Sequence, residues 1–175
     1  MHILITGAAG MIGRKLTARL IADGGLNGKP IDRLTLLDIV TPEIPPGAKM
    51  PVATVAADLA APGVADKAIA QRPEVIFHLA GVVSGEAEID FDKGYRVNLE
   101  GGQALLAAIR LADDGYVPKV VFSSSIAVYG APFPPVIPDD FHLTPLTSYG
   151  TQKAMIELLL ADLNRRHMLD GVGIR

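Results

Sequence analysis

The sequence predicts an α/β fold built on a doubly wound parallel sheet, and three observations carry that expectation. Short apolar runs alternate with longer segments of helical period along the whole chain. Runs such as Val75-Ile76-Phe77 are continuously apolar, as strands covered on both faces are, rather than alternating as half-exposed strands do. Strand, helix and strand in succession require right-handed crossovers, which put helices on both faces of a parallel sheet.

In chain order, strands are expected at His2–Thr6, Leu34–Asp38, Pro51–Val55, Val75–Leu79, Lys119–Ser123 and Val172–Arg175, the last of them only begun. Helices are expected at Met11–Asp23, Val64–Gln71, Phe91–Asp113 and Tyr149–His167. Four prolines fall in Pro42–Pro51 and five in Pro132–Pro145, so neither stretch is read as regular helix or central strand. With 175 residues, the chain is expected to be one domain, residues 1–175.

Composition narrows the chemistry. A net charge of −3 gives no basic footprint for nucleic acid or for an anionic membrane surface. The absence of cysteine removes disulfides, thiolate zinc sites and a cysteine nucleophile. His2, His78, His142 and His167 show no helical metal-ligand spacing, so no metal is expected. The apolar start is too short for a signal peptide, and no run approaches the ~18 apolar residues of a membrane span. A cytoplasmic protein with a small-molecule substrate is the expectation.

Gly7, Gly10 and Gly13 follow the first strand at once. Gly7 takes a sharp turn, Gly10 lets backbone approach a pyrophosphate, and Gly13 is expected to let the helix pack close to the sheet. Met11 and Ile12 open that helix, whose free N–H groups and positive dipole end suit phosphate. The spacing is Gly-x-x-Gly-x-x-Gly rather than the commoner Gly-x-Gly-x-x-Gly. Asp38 ends the second strand 25 residues after Gly13, where a carboxylate can accept hydrogen bonds from both adenosine ribose hydroxyls and disfavour a 2′-phosphate. NAD is therefore the expected cofactor.

Tyr149 and Lys153 are four residues apart, which puts phenol and ammonium on one helix face. The lysine charge favours the phenolate and makes the tyrosine a base for alcohol deprotonation. Ser123-Ser124-Ser125 ends the fifth strand, where parallel strand ends converge on a crevice. Ser125 is the candidate to hydrogen-bond a substrate oxygen.

Thr-Gly-Ala-Ala-Gly-Met-Ile-Gly at 6–13, Asp58-Leu59, His78-Leu79-Ala80-Gly81, Val97-Asn98, the 123–130 segment and Tyr149-x-x-x-Lys153 occur together in this order. In this combination the chain resembles the extended short-chain dehydrogenase/reductase family of NAD-dependent epimerases and dehydratases, whose fold is Rossmann-like. The resemblance implies that Asp58 and Leu59 flank the adenine and that Leu79, Ala80 and Gly81 line the cofactor. It implies that Asn98 shapes the site and that Ser125, Tyr149 and Lys153 form a catalytic triad, with Tyr149 and Lys153 also touching cofactor. Dehydratases of the family carry a Thr-Asp-Glu type sequence where this chain has Ser123–Ser125, so water elimination is set aside.

The 81–92 segment and the Pro-rich loop look like those of sugar-acid oxidoreductases acting on D-erythronate-like substrates. A nucleotide-sugar 4-epimerase is the alternative, and a non-catalytic dinucleotide sensor the lesser one. Family members continue past the sixth strand with a lobe that holds substrate, so this chain is expected to be part of a longer enzyme, its substrate lobe missing. A homodimer is a further expectation, through Val97, Gly101, Ala104, Ala108 and Leu111 on one helix and Met155, Ile156, Leu159, Leu160 and Leu163 on the last. The competing reading has both stripes simply covering the sheet.

Overall fold

In a computed structural model, which describes residues 1–112 and 115–175, the chain forms one six-stranded parallel sheet with helices against it. The elements run β1 (His2–Thr6), α1 (Met11–Asp23), β2 (Gly25–Leu26), β3 (Lys29–Pro30), β4 (Arg33–Asp38), β5 (Val52–Ala56), α2 (Val64–Ala70) and β6 (Val75–His78). After these come α3 (Ser84–Ile89), α4 (Phe91–Gly94), a π-helical turn (Tyr95–Glu100), α5 (Gly101–Leu111) and β7 (Lys119–Ser123). A 3₁₀ turn (Ile126–Val128), α6 (Ser148–Arg165) and β8 (Asp170–Ile174) complete the order.

The sheet order is β5-β4-β1-β6-β7-β8, so the chain winds outward from β1 in both directions. Thr6 pairs in register with Leu37 on one side and His78 on the other. The loop leaving β1 therefore emerges level with Asp38 and Leu79, and the reversal of strand order opens a crevice there.

Two apolar clusters hold the layers together. Against one face, α2, α5 and α6 bury Ile69, Leu105, Ile109, Ile156 and Leu160 with Val120 and Phe122. Against the other, α1 buries Leu20 and Ile21 on Ile3, Ile5, Leu34 and Leu36. Coverage of both faces was expected throughout, but on the α1 side it stops short. Over β8, Val172 is 51% and Ile174 57% exposed.

The departures from expectation are local, and one of them is α3, which falls where no helix was expected. Asn27 (φ 50°) and Gly28 (φ 75°) make a two-residue turn between β2 and β3, a hairpin that left-handed backbone at both central positions favours. The helix expected over Phe91–Asp113 is instead α4, the π turn and α5; Asp113 lies outside the described residues. A π turn inserts an extra residue, after which Asn98, Leu99, Gly101 and Gly102 all face inward. The last strand spans Asp170–Ile174 rather than Val172–Arg175.

Ile156, Leu160, Leu163 and Ala108 belong to the sheet-facing core, so that part of the expected dimer stripe covers the sheet. Leu111 and Leu159 are exposed. No helix among the described residues is long and apolar enough to cross a membrane.

Candidate active site

The site is built on the loop that joins β1 to α1. Gly7 has φ +73°, and a Cβ there would lie 2.5 Å from Ala80 N, so only glycine admits both the turn and the close approach of the β6 exit. Gly10 N donates to Gly7 O (3.1 Å) and leads into α1 with no side-chain cap and no acidic residue in the first turn. Met11 and Ile12 start the helix with exposed side chains. Gly13 packs differently from expectation. A Cβ there would sit 2.2 Å from Gly7 O and 2.7 Å from Ala8 Cα, so its smallness serves the closure of helix onto loop, not onto sheet.

Asp38 Oδ2 accepts the Ala9 N–H at 2.9 Å, tying the end of β4 to the loop and leaving a second carboxylate oxygen. Both sit on a cavity of about 410 Å³ at the carboxyl edge of the sheet. Gly7, Gly10, Asp38, Asp58 and Leu59 line it, as do Leu79, Ala80 and Gly81. Lys93, which was not anticipated, also lines it, and so do Val97 and Gly101, which were expected on the dimer stripe. Asp58 is committed within the protein. Its Oδ1 accepts from Ala60 N (2.9 Å), and its Oδ2 holds Arg96 through Nε (2.9 Å) and Nη2 (2.8 Å).

Asn98 lies in the π turn, 1% exposed, and does not open a helix. Its Oδ1 accepts from Val82 N and its Nδ2 donates to Gln152 Oε1, each at 2.9 Å. Asn98 thus fixes the backbone just beyond Gly81 and links it to α6.

The second half of the site is the end of β7 facing the start of α6. Of the three serines, Ser123 Oγ donates to His78 O (3.2 Å) and Ser124 Oγ to Glu157. Ser125 instead accepts, from Ala127 N at 3.1 Å, which leaves its hydroxyl proton to donate. This singles out Ser125 on physical grounds that the sequence did not contain. Gly150 brings α6 against the same turn, since a Cβ there would be 2.1 Å from Ala127 O. Thr147 caps α6 through Gly150 N (3.0 Å), and Glu88 Oε1 accepts from Ser148 N (2.7 Å) and Tyr149 N (3.3 Å). Thr147, Gly150 and Glu88 all escaped the sequence reading; the Thr-x-x-Gly cap was visible, the Glu88 contact was not.

Lys153 is 3% exposed. Its Nζ donates to Ser123 O at 3.0 Å and lies 5.7 Å from the Tyr149 ring centroid and 4.9 Å from that of Phe122. Burial lowers its pKa from 10.5 to about 8. His78 is fully enclosed, stacked on Phe122 at 5.5 Å and bonded to Thr6 Oγ1 at 2.7 Å. Burial, and after it the Lys153 charge, brings its pKa to about 3, so it stays neutral and packs as expected of a strand-end residue.

The two halves meet along one sheet edge. The donor set of the first half fits a dinucleotide: uncapped helix N–H groups for phosphate, a carboxylate for ribose hydroxyls, and Leu59 and Val97 as an apolar wall for a base. The second half fits proton transfer to and from an alcohol.

Comparison with known proteins agrees with this geometry. The chain is 49% identical to D-erythronate dehydrogenase of Cupriavidus necator, over all of this chain and 54% of that protein. It is 34% identical to UDP-glucose 4-epimerase of Azospirillum brasilense, over 99% of this chain and 48% of that one. Among solved structures, a nucleoside-diphosphate-sugar epimerase from Agrobacterium tumefaciens matches with a TM-score of 0.97 and 63% identity, covering 100% of this chain and 52% of that one. The chain spans about half the length of these relatives. The family model of the NAD dependent epimerase/dehydratase family matches residues 3–175, and the chain belongs to that family.

Proposed function

We propose that this chain carries the cofactor half of an NAD-dependent oxidoreductase that oxidises a secondary hydroxyl of a small sugar acid, of the D-erythronate kind, to a ketone. The observation that carries the chemistry is the buried Lys153 ammonium beside the Tyr149 ring, at the same sheet edge as the glycine loop. Tyr149 takes the hydroxyl proton. Lys153, protonated for the most part at neutral pH with a pKa of about 8, places a positive charge beside the Tyr149 ring. Ser125 donates a hydrogen bond from its free hydroxyl to the substrate oxygen and keeps its own proton. NAD, when bound, takes up the hydride.

Gly7, Gly10 and the N–H groups at Met11 and Ile12 would hold the pyrophosphate, with Gly13 keeping the helix closed on the loop. Asp38 would accept from the adenosine ribose. Against a 2′-phosphate, the same carboxylate would meet like charge costing up to ~4 kcal/mol per pair at ~4 Å, so NAD is favoured over NADP. Arg33, the basic residue of β4, is engaged by His2 and Gln71 and offers no relief, while Arg14, exposed just after the glycine loop, is the cation that could offset part of that cost. Leu59 would meet the adenine, and Leu79, Ala80 and Gly81 the rest of the dinucleotide, with Asp58 and Asn98 holding that wall in shape.

The sugar-acid reading draws on two D-erythronate dehydrogenases, at 49% and 38% identity over the whole chain, against 34% for the UDP-glucose 4-epimerase of A. brasilense. The epimerase reading draws on the 63% identical Agrobacterium structure, and the same three catalytic residues would serve it. A single assay separates the two. The complete protein given D-erythronate and NAD should accumulate NADH, read at the nicotinamide absorbance band, and Tyr149→Phe should lower that rate by orders of magnitude while NAD still binds. Interconversion of a nucleotide sugar with no net NADH would overturn the dehydrogenase reading in favour of the epimerase.

A further inference from the structure

Three ionisable side chains line the cavity that contains the glycine loop: Asp38, Asp58 and Lys93. Asp58 is committed to Arg96 and Ala60 N–H, whereas Asp38 accepts Ala9 N–H on one oxygen and keeps the other. Arg96 is held in turn by Asp58. Among the described residues, Lys93 is thus the one cation on the lining, reaching it from α4 while the glycine loop comes from β1 and α1.

A pyrophosphate entering this cavity brings two negative charges into a space that already holds the Asp38 carboxylate, the Asp58 charge being offset by Arg96. The N-terminus of α1 offers the equivalent of about half a positive charge, which leaves the balance negative. Lys93 can correct it. In the structure its Nζ is paired with Glu86 of α3 at 2.5 Å, in a contact whose side chains are 50% and 40% exposed. Ion pairs so open to water are held weakly, and a lysine stem is flexible enough to change partner. Glu86 itself is not on the cavity lining, so the pair stands at the margin with the lysine on the inner side.

We propose that Lys93 is a phosphate-binding residue of the dinucleotide site, exchanging Glu86 for a pyrophosphate oxygen when cofactor binds, with Glu86 as its competitor in the free protein. The proposal rests on the reading that this cavity takes NAD, and it adds a contact lying outside the glycine loop. It makes two mutations of opposite charge effect move affinity in opposite directions, which general damage to the fold would not do.

The test is calorimetric titration of the complete protein with NAD, ADP-ribose and adenosine. Lys93→Gln should weaken NAD and ADP-ribose by about tenfold at low salt, with the loss shrinking as salt rises, and leave adenosine within about twofold. Glu86→Gln should tighten NAD and ADP-ribose by about threefold. Unchanged affinity in Lys93→Gln, or an equal loss for adenosine, would overturn the phosphate contact. A Glu86→Gln variant that binds no tighter would overturn the exchange. Failure of the wild-type protein to bind any of the three would defeat the underlying dinucleotide reading instead.

Discussion

At Lys153 an ammonium group sits beneath the end of β7, bonded to Ser123 O at 3.0 Å, and burial alone brings its pKa from 10.5 to about 8. The shift has a consequence for stability. Below pH 8 the lysine is protonated in both folded and unfolded chains, and the folded state carries the full cost of burying the charge. Between pH 8 and 10.5 the folded protein releases the proton while the unfolded chain keeps it, so stability attributable to this residue rises with pH. The depression amounts to on the order of 3 kcal/mol. Reversible denaturation of the complete protein should therefore show wild type gaining on Lys153→Met as pH is raised from 8 to 10.5. At neutral pH, Lys153→Met should be no less stable than wild type, yet nearly inactive. A stability difference between the two that is flat over this pH range would mean that the ammonium is not desolvated as the structure has it. A residue kept at such a cost is a candidate for the chemistry, in keeping with its place beside Tyr149.

Among the elements, Gly150 decides whether the two halves of the catalytic edge meet. It is the second residue of the Tyr-Gly-Thr-Gln-Lys segment, and α6 touches the 3₁₀ turn there backbone to backbone. An added Cβ would fall 2.1 Å from Ala127 O, so Gly150→Ala must push the start of α6 away from the turn that Ser125 caps. Turnover of the complete protein should fall by ~10²-fold, since misplacements of about 1 Å cost that much, while NAD affinity stays near wild type. Gly85→Ala, where nothing lies within 4 Å, is the matching control and should change neither. Turnover in Gly150→Ala equal to that control would show that the contact is not needed.

The same element scale explains what the sequence could and could not tell. Strands and long helices were legible because their apolar runs and periods are long enough to speak for themselves. Lys119–Ser123 and Met11–Asp23 fall where they were read. The β2–β3 hairpin carried a legible Asn27-Gly28 signal that was passed over, its strands being only two residues each. The π turn was not legible in the sequence, and the contacts that Asn98 makes from it, with Val82 N and Gln152, are not local. Glu88 escaped for the same reason, sitting 60 residues from the Ser148 N–H that it accepts. In the site, the glycines, Asp38 and the Tyr149–Lys153 pair could be found from spacing. Choosing Ser125 on physical grounds needed the partners of Ser123 and Ser124, which only the fold supplies.

For the molecule as a whole, the sheet is left open toward its edges. Helices α2, α5 and α6 cover the first face but leave Ala53 and Val55 of β5 exposed beside a cavity of about 450 Å³, whereas the α1 cluster on the second face reaches from Val52 of β5 to Phe77 of β6 and no further. Beyond that limit, Val172 and Ile174 of β8 stand more than half exposed. Ile126, beside Ser125, is 74% exposed, and Leu146, shortly before α6, 73%. Exposed apolar surface of this kind marks a place where something packs. The relatives are about twice as long as this chain, and we propose that the part of such a protein outside residues 1–175 would cover both regions. Because Ile126 and Leu146 flank the catalytic edge, that cover would also form the wall against which a substrate is positioned. Residues 1–175 prepared alone should therefore bind an apolar dye strongly, bind NAD more weakly than the complete protein, and turn over less than about a hundredth as fast, since an unpositioned substrate loses rate on that scale. The complete protein should bind little dye, and Val172→Lys should destabilise it while improving the solubility of the isolated chain. Kinetics of the isolated chain equal to those of the complete protein would show that the wall lies within residues 1–175 and that the exposed face has another purpose.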